Sequence, residues 1–95
     1  MNSSPLILLA EDDENLRFVV QDNLELRGFK VESCNNGKAG LEKFRSLKID
    51  LCILDVMMPE MDGFELASKI REQDAHVPII FFNGQRIERG PASGI

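Results

Sequence analysis

Short apolar runs and helical stripes alternate along this chain. Leu6-Ile7-Leu8-Leu9-Ala10 is continuous, apolar and preceded by Pro5, which predicts a short strand buried on both faces. From Glu14 to about Arg27 the apolar positions Leu16, Val19, Val20 and Leu24 recur at helical spacing. Acids at the start of that segment suit a helix N-terminus, and Gly28 suits its end. Phe29 to Cys34 predicts a second strand, closed by the turn residues Asn35-Asn36-Gly37. A second helix from about Lys38 to Leu47 is expected to bury Leu41, Phe44 and Leu47. Leu51 to Leu54 is the next buried strand, and Val56 to Gly63, with Pro59 and Asp62-Gly63, reads as a loop. A third helix carries Phe64, Leu66, Ala67 and Ile70, and Val77 to Phe82 is a fourth strand. The order βαβαβαβ predicts an α/β domain: a parallel sheet with right-handed crossovers and helices on both faces. After Phe82 the pattern breaks. Residues 83–95 hold three Gly, one Pro and no amphipathic period, and are expected to form a flexible tail behind a domain over residues 1–82.

Composition narrows the class. The chain's 95 residues allow one domain, and 43% hydrophobic with 28% charged residues is ordinary for a soluble globular fold. A formal net charge of -5, without a Lys/Arg cluster, argues against nucleic-acid binding. Cys34 and Cys52 lack the spacing of a zinc site, and Cys52 sits among apolar residues as a buried thiol. The N-terminus lacks the basic and apolar regions of an export signal, and no apolar stretch has membrane-spanning length. A soluble, cytoplasmic, reduced setting is expected.

The chemistry lies where the apolar runs stop. The first strand leads into Glu11-Asp12-Asp13 and the third into Asp55. As parallel neighbours, these strands would collect their acids in one crevice at the ligand-binding edge of the sheet. Carboxylates that close repel unless a cation sits among them or one holds a proton. A glycosidase pair needs a sugar cleft and usually aromatics, and this chain has no Trp or Tyr. A flavin or nucleotide site needs a phosphate-cradling first loop, whereas Glu11-Asp12-Asp13-Glu14-Asn15 would repel phosphate. A hard, oxygen-liganded Mg²⁺ site completed by a substrate phosphate fits best.

Leu8-Leu9-Ala10-Glu11-Asp12-Asp13-Glu14-Asn15-Leu16-Arg17, with Asp50-Leu51-Cys52-Ile53-Leu54-Asp55-Val56-Met57-Met58-Pro59-Glu60-Met61-Asp62-Gly63, resembles the receiver domain of bacterial two-component response regulators. Pro78-Ile79-Ile80-Phe81 matches that family's fourth strand, so the resemblance runs over roughly the first 82 residues. It implies a flavodoxin-like (CheY-like) fold. It makes Asp55 the acceptor of a phosphoryl group from the phosphohistidine of a sensor histidine kinase. It makes Asp12 and Asp55 direct Mg²⁺ ligands, Glu11 a ligand often acting through water, and the Met57 backbone carbonyl a further ligand. Asp13 reads instead as a solvated acid at a helix start.

Two positions depart from the family pattern. Asn83 stands where the family carries Thr or Ser, five residues after Pro78. The family's Lys at the end of a fifth strand has no counterpart, since Lys48 and Lys69 lie in other segments and no Lys follows Lys69. The fifth strand and the last helices are likewise missing from the pattern, so a truncated or frame-altered receiver is expected. Its phosphotransfer would be impaired, and it would self-associate through an exposed apolar fourth strand. The alternative is a non-signalling fragment that only binds metal weakly or self-associates; an independent enzyme is not indicated. Met57, Met58 and Met61 read as loop packing, and His76 as exposed and inert.

Overall fold

A computed structural model describes residues 4–83. Four strands and three helices alternate: β1 (Leu6–Ala10), α1 (Glu14–Leu26), β2 (Lys30–Cys34), α2 (Gly37–Ser46), β3 (Leu51–Asp55), α3 (Gly63–Gln73) and β4 (Ile79–Phe82). The strands form one parallel sheet in the order β2-β1-β3-β4. The chain steps outward from β1 to β2, then crosses back over β1 to β3. With right-handed crossovers that reversal puts α1 on one face and α2 and α3 on the other. The contact of α2 with α3 agrees. This is the predicted α/β architecture, and the acids leave the sheet at the point where strand order reverses. Of the expected tail over 83–95, all but Asn83 lies outside the described residues.

Alternation along the strands divides the core. Leu8, Ala10, Cys52 and Leu54 face α2 and α3 and pack with Leu41, Leu66, Ala67 and Ile70. Ile7 and Leu9 point the other way and are also fully buried. The α1 face is thinner than its periodicity predicts. No α1 residue is fully buried: Leu16, Val20 and Leu24 are half-buried, while Val19, Phe18 and Leu26 are exposed. Val19 lies beside the i, i+4, i+8 stripe of Leu16, Val20 and Leu24, so its exposure follows from helical geometry. Leu47, expected in the core, is instead the extended C-cap of α2 and faces outward.

Each helix opens on an Asx cap. Asp13 accepts from the Leu16 amide at 3.0 Å, Asn36 from Ala39 at 2.8 Å and Asp62 from Glu65 at 2.8 Å. At the other end of α1 the chain reverses through Gly28 at φ +96°, a conformation that favours glycine.

Candidate metal centre and its acid cluster

Register places the acids. Ala10 pairs with Leu54 across β1 and β3, so Glu11 and Asp55 stand at neighbouring strand ends with Asp12 one residue on. Glu11 and Asp55 are fully buried and Asp12 is half-buried. One carboxylate oxygen from each lies within 4.8 Å of the others. The remaining carboxyl contacts are local. Glu11 Oε2 accepts from the Asp13 amide at 2.8 Å, and Asp55 Oδ1 from the Met57 amide at 3.3 Å. Glu11 Oε1, Asp12 Oδ1 and Asp55 Oδ2 are buried without a hydrogen-bond partner.

Three converging acceptors with no donor among them are costly to bury. The protonation equilibria show it. Burial pushes Glu11 up to about 7; the Asp55 and Asp12 carboxyls push the same way, and the Asp13 amide opposes. Burial also holds Asp55 above the usual carboxylate range, with the Asp12 charge reinforcing the shift; the neighbouring Glu11 carboxyl and the Met57 amide counteract it. Glu11 is therefore the group that keeps a proton near neutrality. A small divalent cation supplies what that proton supplies only in part, and an all-oxygen donor set is what Mg²⁺ selects.

The loop after β3 shapes the approach. A cavity of about 520 Å³ in front of the acids is lined by Asp12, Val56, Met57, Met58, Pro59, Asp62 and Phe64. Met57 borders this cavity, half-exposed, and its amide ties the loop to Asp55. The loop closes through the Gly63 amide on the Val56 carbonyl at 3.0 Å. A Cβ on Gly63 would overlap the Asp55 carbonyl oxygen, so α3 can start this close to the acid only with glycine. Phe64, on the rim, packs against Phe81 with ring centroids 4.8 Å apart.

The structure thus brings together Glu11, Asp12, Asp55 and Met57. Asn83 directly follows β4, whose Phe82 pairs with Asp55, so it stands at the same sheet edge. Asp13 is occupied as the α1 cap, and His76 is exposed. Cys34 and Cys52 are buried in the core, where burial raises both thiols, Cys52 to about 12. Two residues of the site carry no sequence signal of their own. Gly63 reads as a turn residue, and its contact with Asp55 depends on the fold. Arg17, whose Nη1 donates to the Glu11 carbonyl at 2.9 Å, reads as one more charged helix residue.

Comparison with known proteins places this arrangement among relatives. The family described as the response regulator receiver domain matches residues 7–89. The transcriptional regulatory protein RprY of Bacteroides fragilis is 40% identical over 94 residues, which is 99% of this chain and 40% of that protein. This chain therefore spans about two-fifths of that relative's length. Among solved structures, the response regulator protein TrrA of Thermotoga maritima in complex with Mg²⁺ and BeF aligns at a TM-score of 0.79 and 35% identity. That alignment covers 81% of this chain and 67% of that one. A complex of the histidine kinase ThkA with TrrA aligns at 0.80 and 32% identity, over 94% of this chain and 77% of that one.

Proposed function

Because the chain belongs to the response regulator receiver domain family, we propose that it accepts a phosphoryl group on Asp55 from the phosphohistidine of a sensor histidine kinase. The observation that carries the reading is the trio of buried, unpartnered oxygens on Glu11, Asp12 and Asp55. Those three residues, with the Met57 carbonyl, would hold Mg²⁺. When bound, the metal offsets negative charge on the approaching phosphoryl oxygens. The chain's own part begins with Asp55. Its carboxylate must be ionised to attack phosphorus; in the metal-free chain the shared proton resides on Glu11 and would be displaced by the metal. An Asp55 oxygen then bonds to phosphorus as the P–N bond to the imidazole breaks. The Met57 amide holds Asp55 Oδ1, which leaves the other oxygen to react. TrrA, crystallised with Mg²⁺ and BeF and with a histidine kinase, supports both the metal and the class of partner.

The same reading sets the expected efficiency. Asn83 offers a carboxamide where the family offers a hydroxyl. Transfer is accordingly slow. Incubation with acetyl phosphate and Mg²⁺ gives a phosphoryl adduct by mass spectrometry that is lost in Asp55→Ala; absence of any adduct overturns the reading.

A separate observation favours a second reading, in which this 95-residue chain also self-associates. Among the described residues β4 has a neighbour on one side only, and its Ile80 and Phe81 are exposed. The opposite edge strand, β2, carries Lys30 and Glu32, the latter paired with Lys43 at 3.0 Å. Edges of that charged kind resist pairing, and an uncharged Ile-Ile-Phe-Phe edge invites it.

A further inference from the structure

Arg17 lies outside the acid cluster yet holds the peptide that carries it. It is the fourth residue of α1, and helical side chains lean toward the helix N-terminus, so its guanidinium reaches back past the Asp13 cap. There Nη1 donates to the Glu11 carbonyl oxygen at 2.9 Å. The Arg17 backbone is itself fixed, its amide bonding the Asp13 carbonyl at 2.9 Å. That Glu11 carbonyl belongs to the planar peptide unit joining Glu11 to Asp12, so whatever orients the plane orients both acids. The Glu11 amide bonds the Cys34 carbonyl at 3.1 Å, and Glu11 Oε2 accepts from Asp13. Oε1 of Glu11 is left without a hydrogen bond, and the Glu11 carboxylate converges with those of Asp12 and Asp55. Arg17 lines a groove of about 370 Å³ with Ser33, Cys34, Asn35, Ala39 and Lys43, which shares no lining residue with the cavity beside Asp12.

We propose that Arg17 is a positioning residue of the metal centre: its grip on the Glu11–Asp12 peptide presets the two carboxylates for a divalent cation. The inference rests on the Mg²⁺ reading above. Arg17 touches neither the metal position nor the phosphoryl group, and acts by removing the need to order the loop when the cation arrives. A charge-assisted hydrogen bond is stronger than a neutral one, and preorganisation of this kind converts directly into affinity.

The test is calorimetric titration of the native chain, Arg17→Met and Lys43→Met with MgCl₂, with metal-free melting measured in parallel. Lys43→Met breaks an ion pair in the same groove without touching the acid loop. Arg17→Met is expected to bind Mg²⁺ about tenfold more weakly than native, while Lys43→Met keeps native affinity whatever its melting temperature. A folded Arg17→Met with native Mg²⁺ affinity overturns the inference. If Arg17→Met does not fold, the native chain decides: by NMR the Arg17 guanidinium protons of the metal-free chain are protected from solvent exchange by the bond to Glu11, and unprotected guanidinium protons before Mg²⁺ is added overturn the inference. Absence of Mg²⁺ binding by the native chain is a different result, which removes the metal reading and this inference with it.

Discussion

Glu11 is the residue whose protonation the fold controls most directly. Burial raises its pKa from 4.5 to about 7, so the folded chain holds a proton that the unfolded chain releases at lower pH. Stability from that proton is complete below about pH 4.5 and is lost as pH rises through about 7. In a metal-free buffer the native melting temperature therefore falls over this interval more steeply than that of Glu11→Gln, as followed by circular dichroism. Parallel profiles for the two would contradict the assignment. On the proposed metal reading Mg²⁺ competes with that proton, so its affinity is expected to rise over the same interval. The acids were legible in the sequence because strand ends are legible: an apolar run that stops in Glu11-Asp12 or Asp55 announces where its carboxylates emerge. The roles of Arg17 and Gly63 were not, because each is defined by a backbone carbonyl that only the folded chain brings near.

At the scale of elements, the loop between β3 and α3 ties stability to the site. Gly63 sits where a Cβ would overlap the Asp55 carbonyl, and that clash is with backbone, which cannot rotate away. Gly63→Ala is expected to cost about 1–3 kcal/mol in urea unfolding, the usual range for overpacking. On the proposed reading it should also weaken Mg²⁺ binding, since the carbonyl that must move belongs to Asp55, a proposed ligand. Leu66, fully buried between α3 and the sheet, makes the contrast. Leu66→Ala is expected to cost about 2–5 kcal/mol through cavity formation while leaving Mg²⁺ affinity of the folded fraction unchanged. Element order was readable, with Gly28 as the end of α1, whereas Asn36 and Asp62 read as turn residues and prove to be helix caps. Depth of burial was less so: periodicity marks which residues share a helix face, and what covers that face depends on neighbours. Leu47 shows the difference: apolar and expected in the core, it is the extended C-cap of α2 and is exposed.

At the scale of the whole molecule, two surfaces set behaviour: the acid edge of the sheet and the side of β4 that has no strand neighbour among the described residues. No helix among the described residues is long and apolar enough to cross a membrane. The exposed Ile80 and Phe81 predict that this chain's mass by light scattering rises with concentration, and that Ile80→Lys shifts it toward monomer. A concentration-independent monomer would contradict that prediction and leave the phosphoacceptor reading untouched. Parallel topology was legible because each of the first three strands is followed by a helix, and it alone brings residues as distant in sequence as Asp12 and Asp55 to one crevice. What that crevice is for turns on the bond formed at Asp55. The most direct measurement is to treat the chain with acetyl phosphate, trap any acyl phosphate by borohydride reduction, and map the reduced residue by peptide mass spectrometry, with Mg²⁺ and with EDTA. Reduction confined to Asp55 and dependent on Mg²⁺ is the predicted result; reduction at another carboxylate, or at Asp55 to the same extent in EDTA, would contradict it.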